Sequence, residues 1–314
     1  MESLILSTNA IAPIFLMMLV GYVIKQTGLA SKSTLDGINK LVFKIFLPTL
    51  LFYNIYSTES LENFSWKILL FTVVSVSLVF LFGLGAVFIF TKVNEKRSVI
   101  LQALFRSNFA ILGIPLINSI CGDKTSGLTY LMVAIVVPLF NILAVASFLI
   151  FGKGGNTFSI KAFIKGLVTN PIIIGCALGL IFFGLGIKLP FILEKAVSNV
   201  SKITTPLSII VLGSGFTVPA LKSHYKEVIF SVGARLIIVP VLMVSAAVLC
   251  GFRGEALACL LIAAGAPAAV SSYSTAQVMG GDGELAAQIV VVSSALCILS
   301  LFGWIYILSS LGLF

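Results

Sequence analysis

Long apolar runs joined by short polar links dominate the chain. Residues 64–90, 127–151 and 228–250 each stay apolar for more than 20 positions with at most one charged residue. The hydrocarbon core of a bilayer needs about 20 apolar residues per helical span. By that measure ten spans are predicted, at about 5–25, 35–56, 66–90, 98–120, 127–151, 163–185, 191–217, 227–250, 255–279 and 284–311. The links between them are too short to hold a soluble domain. The first run starts with Glu2 rather than a basic segment and continues to Ile24, which reads as a first span and not a cleavable signal.

The runs repeat. At an offset of 158 residues Pro13 falls on Pro171, Gly21 on Gly179, Gly28 on Gly186, Lys44 on Lys202 and Pro48 on Pro206. With six residues lost later in the second copy, Gly113-Ile114-Pro115 falls on Gly265-Ala266-Pro267. Each copy holds five spans, and an odd number reverses the direction of the next copy. The expected fold is therefore an all-α membrane protein of ten helices, built as inverted five-helix repeats over residues 1–155 and 156–314. Inverted repeats are the architecture of many secondary transporters, with the cargo site near the midplane where the repeats meet.

Spans 4 and 9 carry the candidate site. Each has a glycine two residues before a proline near its middle: Gly113 with Pro115, and Gly265 with Pro267. Proline removes a backbone donor and frees the carbonyl four residues earlier, here those of Ile111 and Ala263. Freed backbone groups at membrane depth must be satisfied by protein or line a wet cavity. Two breaks in matching spans point to a transport site. Polar residues gather there: Arg106 and Asn108 before Pro115, and Ser271, Ser272 and Gln277 after Pro267. The expected cargo-binding set is Asn108, Pro115, Pro267, Arg106, Ser271, Ser272 and Gln277, with Gly113 and Gly265 at the helix breaks. Pro138 and Pro240 have no mates and are expected to be plain kinks.

Charge narrows the chemistry. Only 10% of residues are charged and 59% are hydrophobic, against roughly 25% charged in soluble domains. The net charge of +9 comes from loop lysines and arginines with no basic, aromatic-interleaved stripe, which excludes nucleic acid. With the N-terminus outside, ten Lys and Arg fall in inner loops and five in outer loops. The positive-inside rule then places both termini outside. No Asp or Glu lies near the middle of a span, whereas Lys40, Lys44, Arg106, Lys202 and Arg235 lie in or near spans. Cations without acids favour an anionic cargo. Lys40, Lys44 and Arg106 are near span ends and are able to snorkel to the headgroups.

Enzyme chemistry finds no support. His224 is the only histidine and sits between Lys222 and Lys226 in a basic loop. Metal-protease, paired-aspartate and phosphate-loop motifs are all missing. The five cysteines have neither CxxC nor Cys/His spacing, so neither disulfide framework nor metal site is expected. No cofactor is implied.

Three stretches resemble the auxin efflux carrier family, which includes plant PIN-type carriers and bacterial malate or malonate permeases. They are Asn39-Lys-Leu-Val-Phe-Lys-Ile-Phe-Leu-Pro48; Arg106-Ser-Asn108 with Gly113-Ile-Pro115; and Ala266-Pro267-Ala268 through Ser271-Ser272 to Gly281-Asp282-Gly-Glu284. Pro206 followed by Leu212-Gly213 adds to the likeness. The resemblance implies a fold like that of bile-acid sodium symporters and sodium/proton antiporters. Spans 1, 2, 6 and 7 would form a scaffold. Spans 3–5 and 8–10 would form a moving transport domain in which spans 4 and 9 cross. A homodimer through the scaffold and an elevator-type mechanism in the plasma membrane are also implied. The long central loop of the plant carriers is missing, which places the chain with the bacterial branch. The expected activity is carriage of a small organic anion, a carboxylate or a dicarboxylate such as malate or malonate, with the coupling ion left open. Two other readings fit the same residues: a carrier for a neutral or amphipathic solute, and a membrane sensor that binds without transporting.

Overall fold

The computed structural model describes residues 2–57, 66–109, 116–117, 120, 127–151 and 160–314. Among them the chain is helical, with one isolated β-bridge as the sole extended pairing. The first helices are α1 (Glu2–Gln26), α2 (Lys32–Leu41), α3 (Leu47–Tyr56), α4 (Trp66–Phe90), α5 (Asn94–Phe105) and α6 (Gly127–Phe151). There follow α7 (Ile160–Val168), α8 (Pro171–Gly184), α9 (Phe191–Gly215), α10 (Val218–Ser223) and α11 (Tyr225–Gly233). The last are α12 (Val239–Leu249), α13 (Gly254–Gly265), α14 (Ser271–Met279) and α15 (Gly283–Ser310).

Four described helical stretches are each long and apolar enough to cross a bilayer: Trp66–Phe90, Phe191–Gly215, Tyr225–Leu249 and Gly283–Ser310. Pro13–Gln26, Ile135–Phe151, Pro171–Gly184 and Gly254–Gly265 are shorter apolar helices. Several expected spans are thus divided. The span at 163–185 is split between α7 and α8, because Pro171 starts a new helix and the Asn170 side chain caps it by accepting from the Ile172 amide at 2.9 Å. The spans at 98–120 and 255–279 are interrupted at residues 106–108 and 266–270.

Among the described residues two wide π-helical turns mark prolines within helices. Val42–Phe46 precedes Pro48 and Ala234–Ile238 precedes Pro240. In each, the amide after the turn bonds five residues back, Leu47 to Val42 and Val239 to Ala234. Proline withholds an amide from the ladder, and the widened turn takes up the mismatch. Pro240 is therefore more than a plain kink: its turn rotates Arg235 into the interior, where that side chain is 1% exposed.

α1 packs along α9, and α3 along α8, through glycines that let backbones touch. A Cβ on Gly21 would collide with the Ile210 carbonyl, and one on Gly213 with that of Met18. On the other pair, a Cβ on Gly179 would lie 3.0 Å from the Phe52 carbonyl oxygen, and Gly175 meets the backbone of Pro48. Gly21 with Ile210, and Gly179 with Phe52, are the same contact made from opposite halves of the chain. The Thr204 hydroxyl donates to the Phe46 carbonyl at 2.9 Å across a sequence separation of 158 residues. Gly28 and Gly186, also 158 apart, end α1 and α8 with φ of 70° and 64°, the left-handed cap glycine favours.

α5 and α13 lie at the centre. Every residue of α5 from Ser98 to Phe105 is buried, and so is every residue of α13 from Leu257 to Gly265. By contrast, Leu70, Phe82 and Ile89 on α4 and Ile192 on α9 are broadly exposed, forming an apolar outer surface suited to lipid.

The tight helix contacts give a direct test. Gly21→Ala forces a methyl into the Ile210 backbone and should destabilise the protein by about 1–3 kcal/mol. Gly85→Ala adds the same methyl in α4 where nothing lies within 4 Å and should leave stability unchanged or slightly raised. Thermal unfolding of both variants in detergent compares the two.

Candidate functional site

α5 ends at Phe105, and Arg106 leaves it in extended conformation (φ −91°, ψ 100°). α13 ends at Gly265, with Ala266 extended at ψ 153°. The second break follows from Pro267, since a residue before proline is pushed out of the helical region. The two extended segments meet as an antiparallel bridge between Ser107 and Ala268. The Asn108 amide donates to the Pro267 carbonyl at 2.8 Å, and the Ala269 amide to the Arg106 carbonyl at 3.2 Å. Each break thus satisfies backbone groups exposed by the other.

This geometry bears on one of the two expected breaks. Gly265 is the last residue of α13, and Pro267 lies buried within the break. In the first half the break lies at residues 106–108. Gly113 and Pro115 fall outside the described residues. The partner of the Pro267 segment is Arg106-Ser107-Asn108, where two short polar side chains follow the helix end. Ser and Asn compete with helical hydrogen bonding, which favours a helix end here.

Arg106 does not snorkel. It is 2% exposed, and its guanidinium is held by four neutral oxygens. Nη1 donates to Gln102 Oε1 at 2.8 Å and Thr275 Oγ1 at 3.3 Å. Nη2 donates to Asn141 Oδ1 at 2.6 Å and Ser271 Oγ at 2.9 Å. Two of the acceptors are aimed by bonds of their own. Asn141 Nδ2 donates to Val137 O at 2.7 Å, and Thr275 Oγ1 to Ser271 O at 2.7 Å. Arg106 takes part in neither ion pair found among the described residues, Lys96 with Glu227 and His224 with Asp282. A guanidinium stays protonated at all relevant pH, so among the described residues a full positive charge is held by dipoles alone.

Arg106 and Asn108 line a cavity of about 50 Å³. One wall is the crossing with residues 269–271 and the α6 residues Phe140 and Asn141. The opposite wall is α3, through Leu47, Leu50 and Leu51, and α9, through Thr204, Thr205 and Ser208. On this measure one water needs about 10–15 Å³, so the cavity suits an occupant of a few heavy atoms. The Asn108 Nδ2 donor is buried without a partner among the described residues. The cavity also lies at the start of α14, where the helix dipole is positive.

The other expected residues divide. Ser271 lines the cavity and holds Arg106. Ser272 is turned away from it and, with Gln102, lines a separate void of about 10 Å³. Gln277 is exposed and donates to the Tyr273 hydroxyl at 3.1 Å, so it is not brought to the cavity. Being on the same helix as Ser271 does not put it on the same face. Lys40, Lys44 and Lys202 are exposed. Arg235 is buried but bonds backbone carbonyls instead of facing the cavity. Sequence reasoning missed Asn141 and the α9 hydroxyls. Asn141 had a signal, being a lone amide within the apolar stretch of α6, and polar residues inside spans are functional candidates.

Comparison with known proteins agrees with this picture. A family model described as membrane transport protein matches residues 6–305. A protein named an uncharacterized transporter, from Methanocaldococcus jannaschii, is 24% identical over 303 residues, covering 93% of this chain and 96% of its own length. With apolar helices around a buried, cation-lined break and a family match over nearly its whole length, the chain belongs to the membrane transport protein family, the family of the auxin efflux carriers, and is a multi-pass membrane transporter.

Proposed function

We propose that the protein is a secondary carrier for a small organic anion, a carboxylate or short dicarboxylate of the malonate and malate kind. The observation that carries this reading is Arg106: a buried cation, bonded to neutral oxygens, on the wall of a small cavity. An arriving carboxylate supplies the missing negative charge. Asn108 Nδ2 offers a further donor, and the leucines of α3 pack the aliphatic part. The cavity volume favours the short end of the class.

The reading extends to architecture. Residues 1–155 and 156–314 form inverted repeats, and the paired contacts Gly21–Ile210 and Gly179–Phe52 support this. A contact between mates, such as Thr204 with Phe46, belongs on the axis relating the two copies. α1–α3 and α7–α9 act as scaffold, and the remaining helices, with the crossing of α5 and α13, act as the transport domain. The cavity draws its walls from both groups, so sliding one against the other moves cargo from side to side. The protein works as a homodimer in the plasma membrane with both termini outside, driven by the anion gradient and the membrane potential. The hydroxyls of Thr204, Thr205 and Ser208 favour one second reading, a carrier for a neutral hydroxylated solute.

Uptake of labelled malonate, malate, succinate, indole-3-acetate and an amino acid into proteoliposomes, with and without sodium, tests both readings. One uncompensated negative charge feels about 2.3 kcal/mol per 100 mV, so interior-positive potential should raise anion uptake and interior-negative potential lower it. Uptake indifferent to potential supports the neutral solute, and binding without flux leaves only a sensor.

Two substitutions probe the site. Loss of a hydrogen bond to a charged group costs about 1.5–3 kcal/mol, so Arg106→Met should weaken apparent anion affinity about 10- to 100-fold. Asn108→Ala removes a donor that no described protein group uses and should leave thermal stability nearly unchanged while raising KM severalfold. Gln277→Ala should change neither. Unaltered uptake by both Arg106→Met and Asn108→Ala would move the cargo site elsewhere.

A further inference from the structure

The helix breaks leave carbonyls to be accounted for. Pro267 has no amide for the Ala263 carbonyl. The Asn108 amide, which would continue α5 by bonding Leu104, is used by Pro267 instead. The Ala266 carbonyl lies beyond the end of α13. One side chain takes all three: Arg235 Nη2 donates to Ala263 O at 2.8 Å, Nη1 to Leu104 O at 3.0 Å, and Nε to Ala266 O at 2.9 Å. Arg235 reaches them because the widened turn at Ala234–Ile238 turns it inward.

These carbonyls belong to the C-terminal ends of two interrupted helices. Such an end carries roughly half a negative charge, so the two together approach one unit of negative charge in the middle of the molecule. Arg235 brings one positive charge in direct contact with both. The N-terminal end of α14 and Arg106 are then the uncancelled sources of field at the cavity.

We propose that Arg235 is a positioning residue that makes the crossing an anion site from a distance, by locking the two helix ends in one geometry and cancelling their negative charge. The planar fork of a guanidinium suits three separated acceptors, whereas a lysine ammonium supplies the charge from a single point. Geometry and charge can therefore be separated by substitution. The electrostatic consequence rests on the anion-carrier reading; the locking of the crossing does not.

The test uses the full chain in detergent with its five native cysteines replaced, carrying Arg235, Arg235→Lys or Arg235→Met. Ser107→Cys with Ala268→Cys places thiols on a facing antiparallel pair that is not itself hydrogen-bonded, where Cα atoms are about 4.5 Å apart, within disulfide reach. Oxidative cross-linking should be efficient with Arg235, reduced severalfold in Arg235→Lys and lowest in Arg235→Met. Amide exchange at Asn108 and Ala269 should quicken in the same order while α4 stays protected, which a general loss of stability would not produce. Separately, the Asn108→Cys thiol is alkylated with iodoacetate and with iodoacetamide. The ratio of anionic to neutral rates should fall about tenfold in Arg235→Met, the scale of one unit charge acting through partly buried protein, and be largely kept in Arg235→Lys. Should Arg235→Met fail to fold, the Lys variant still separates the cases, because lowered cross-linking with a retained rate ratio is expected of it alone. Equal cross-linking and exchange in all folded variants would overturn the locking role, and an unchanged rate ratio would overturn the charge role. Dependence of cross-linking on Arg235 in a protein that moves no anion would retain the locking role and sink the anion-carrier reading.

Discussion

A backbone carbonyl or amide without a partner in an apolar interior is the constraint on which this molecule turns. Among the described residues α5 and α13 are buried along most of their length, and both stop inside the molecule. Interrupting a helix there exposes groups that water does not reach, at several kcal/mol each if left alone. The two interruptions solve this mutually. Asn108 and Ala269 donate to Pro267 and Arg106 across a single antiparallel bridge, and Arg235 takes three further carbonyls. The result is a rigid polar knot surrounded by leucine, alanine and valine.

The knot also explains how two arginines persist in such an interior. Neither is paired with a carboxylate in the structure described. Arg235 is compensated by helix ends and Arg106 by amide and hydroxyl oxygens, of which Asn141 and Thr275 are oriented by bonds of their own. Partial charges arranged in this way tolerate a buried cation without neutralising it formally. For Arg235 the donors are spent on the protein itself. For Arg106 the surrounding oxygens leave a net positive charge at the edge of a cavity.

Much of the fold was legible in the sequence. Helices at 66–90, 127–151 and 191–215 lie where the apolar runs put them, because run length and apolarity are local properties. The glycine and proline matches at 158 residues also found physical counterparts: Gly28 and Gly186 cap their helices alike, and Gly21 and Gly179 permit the same backbone contact. The break at Pro267 was likewise readable, since proline acts on its own chain neighbours. Arg106, Asn108 and Ser271, singled out for their proximity to a break, line one cavity.

What sequence alone determined, then, was an apolar, helical chain with a proline-broken span and cations but no acids within its apolar runs. Only the tertiary structure decided which residues the break gathers. That the Pro267 segment pairs with Arg106-Ser107-Asn108 depends on two strands meeting across more than a hundred residues. Gln277 falls outside the cavity, Asn141 and the α9 hydroxyls enter it, and Arg235 becomes a clamp, because facing and burial are set by packing between helices. No local pattern encodes which oxygen a buried guanidinium will find.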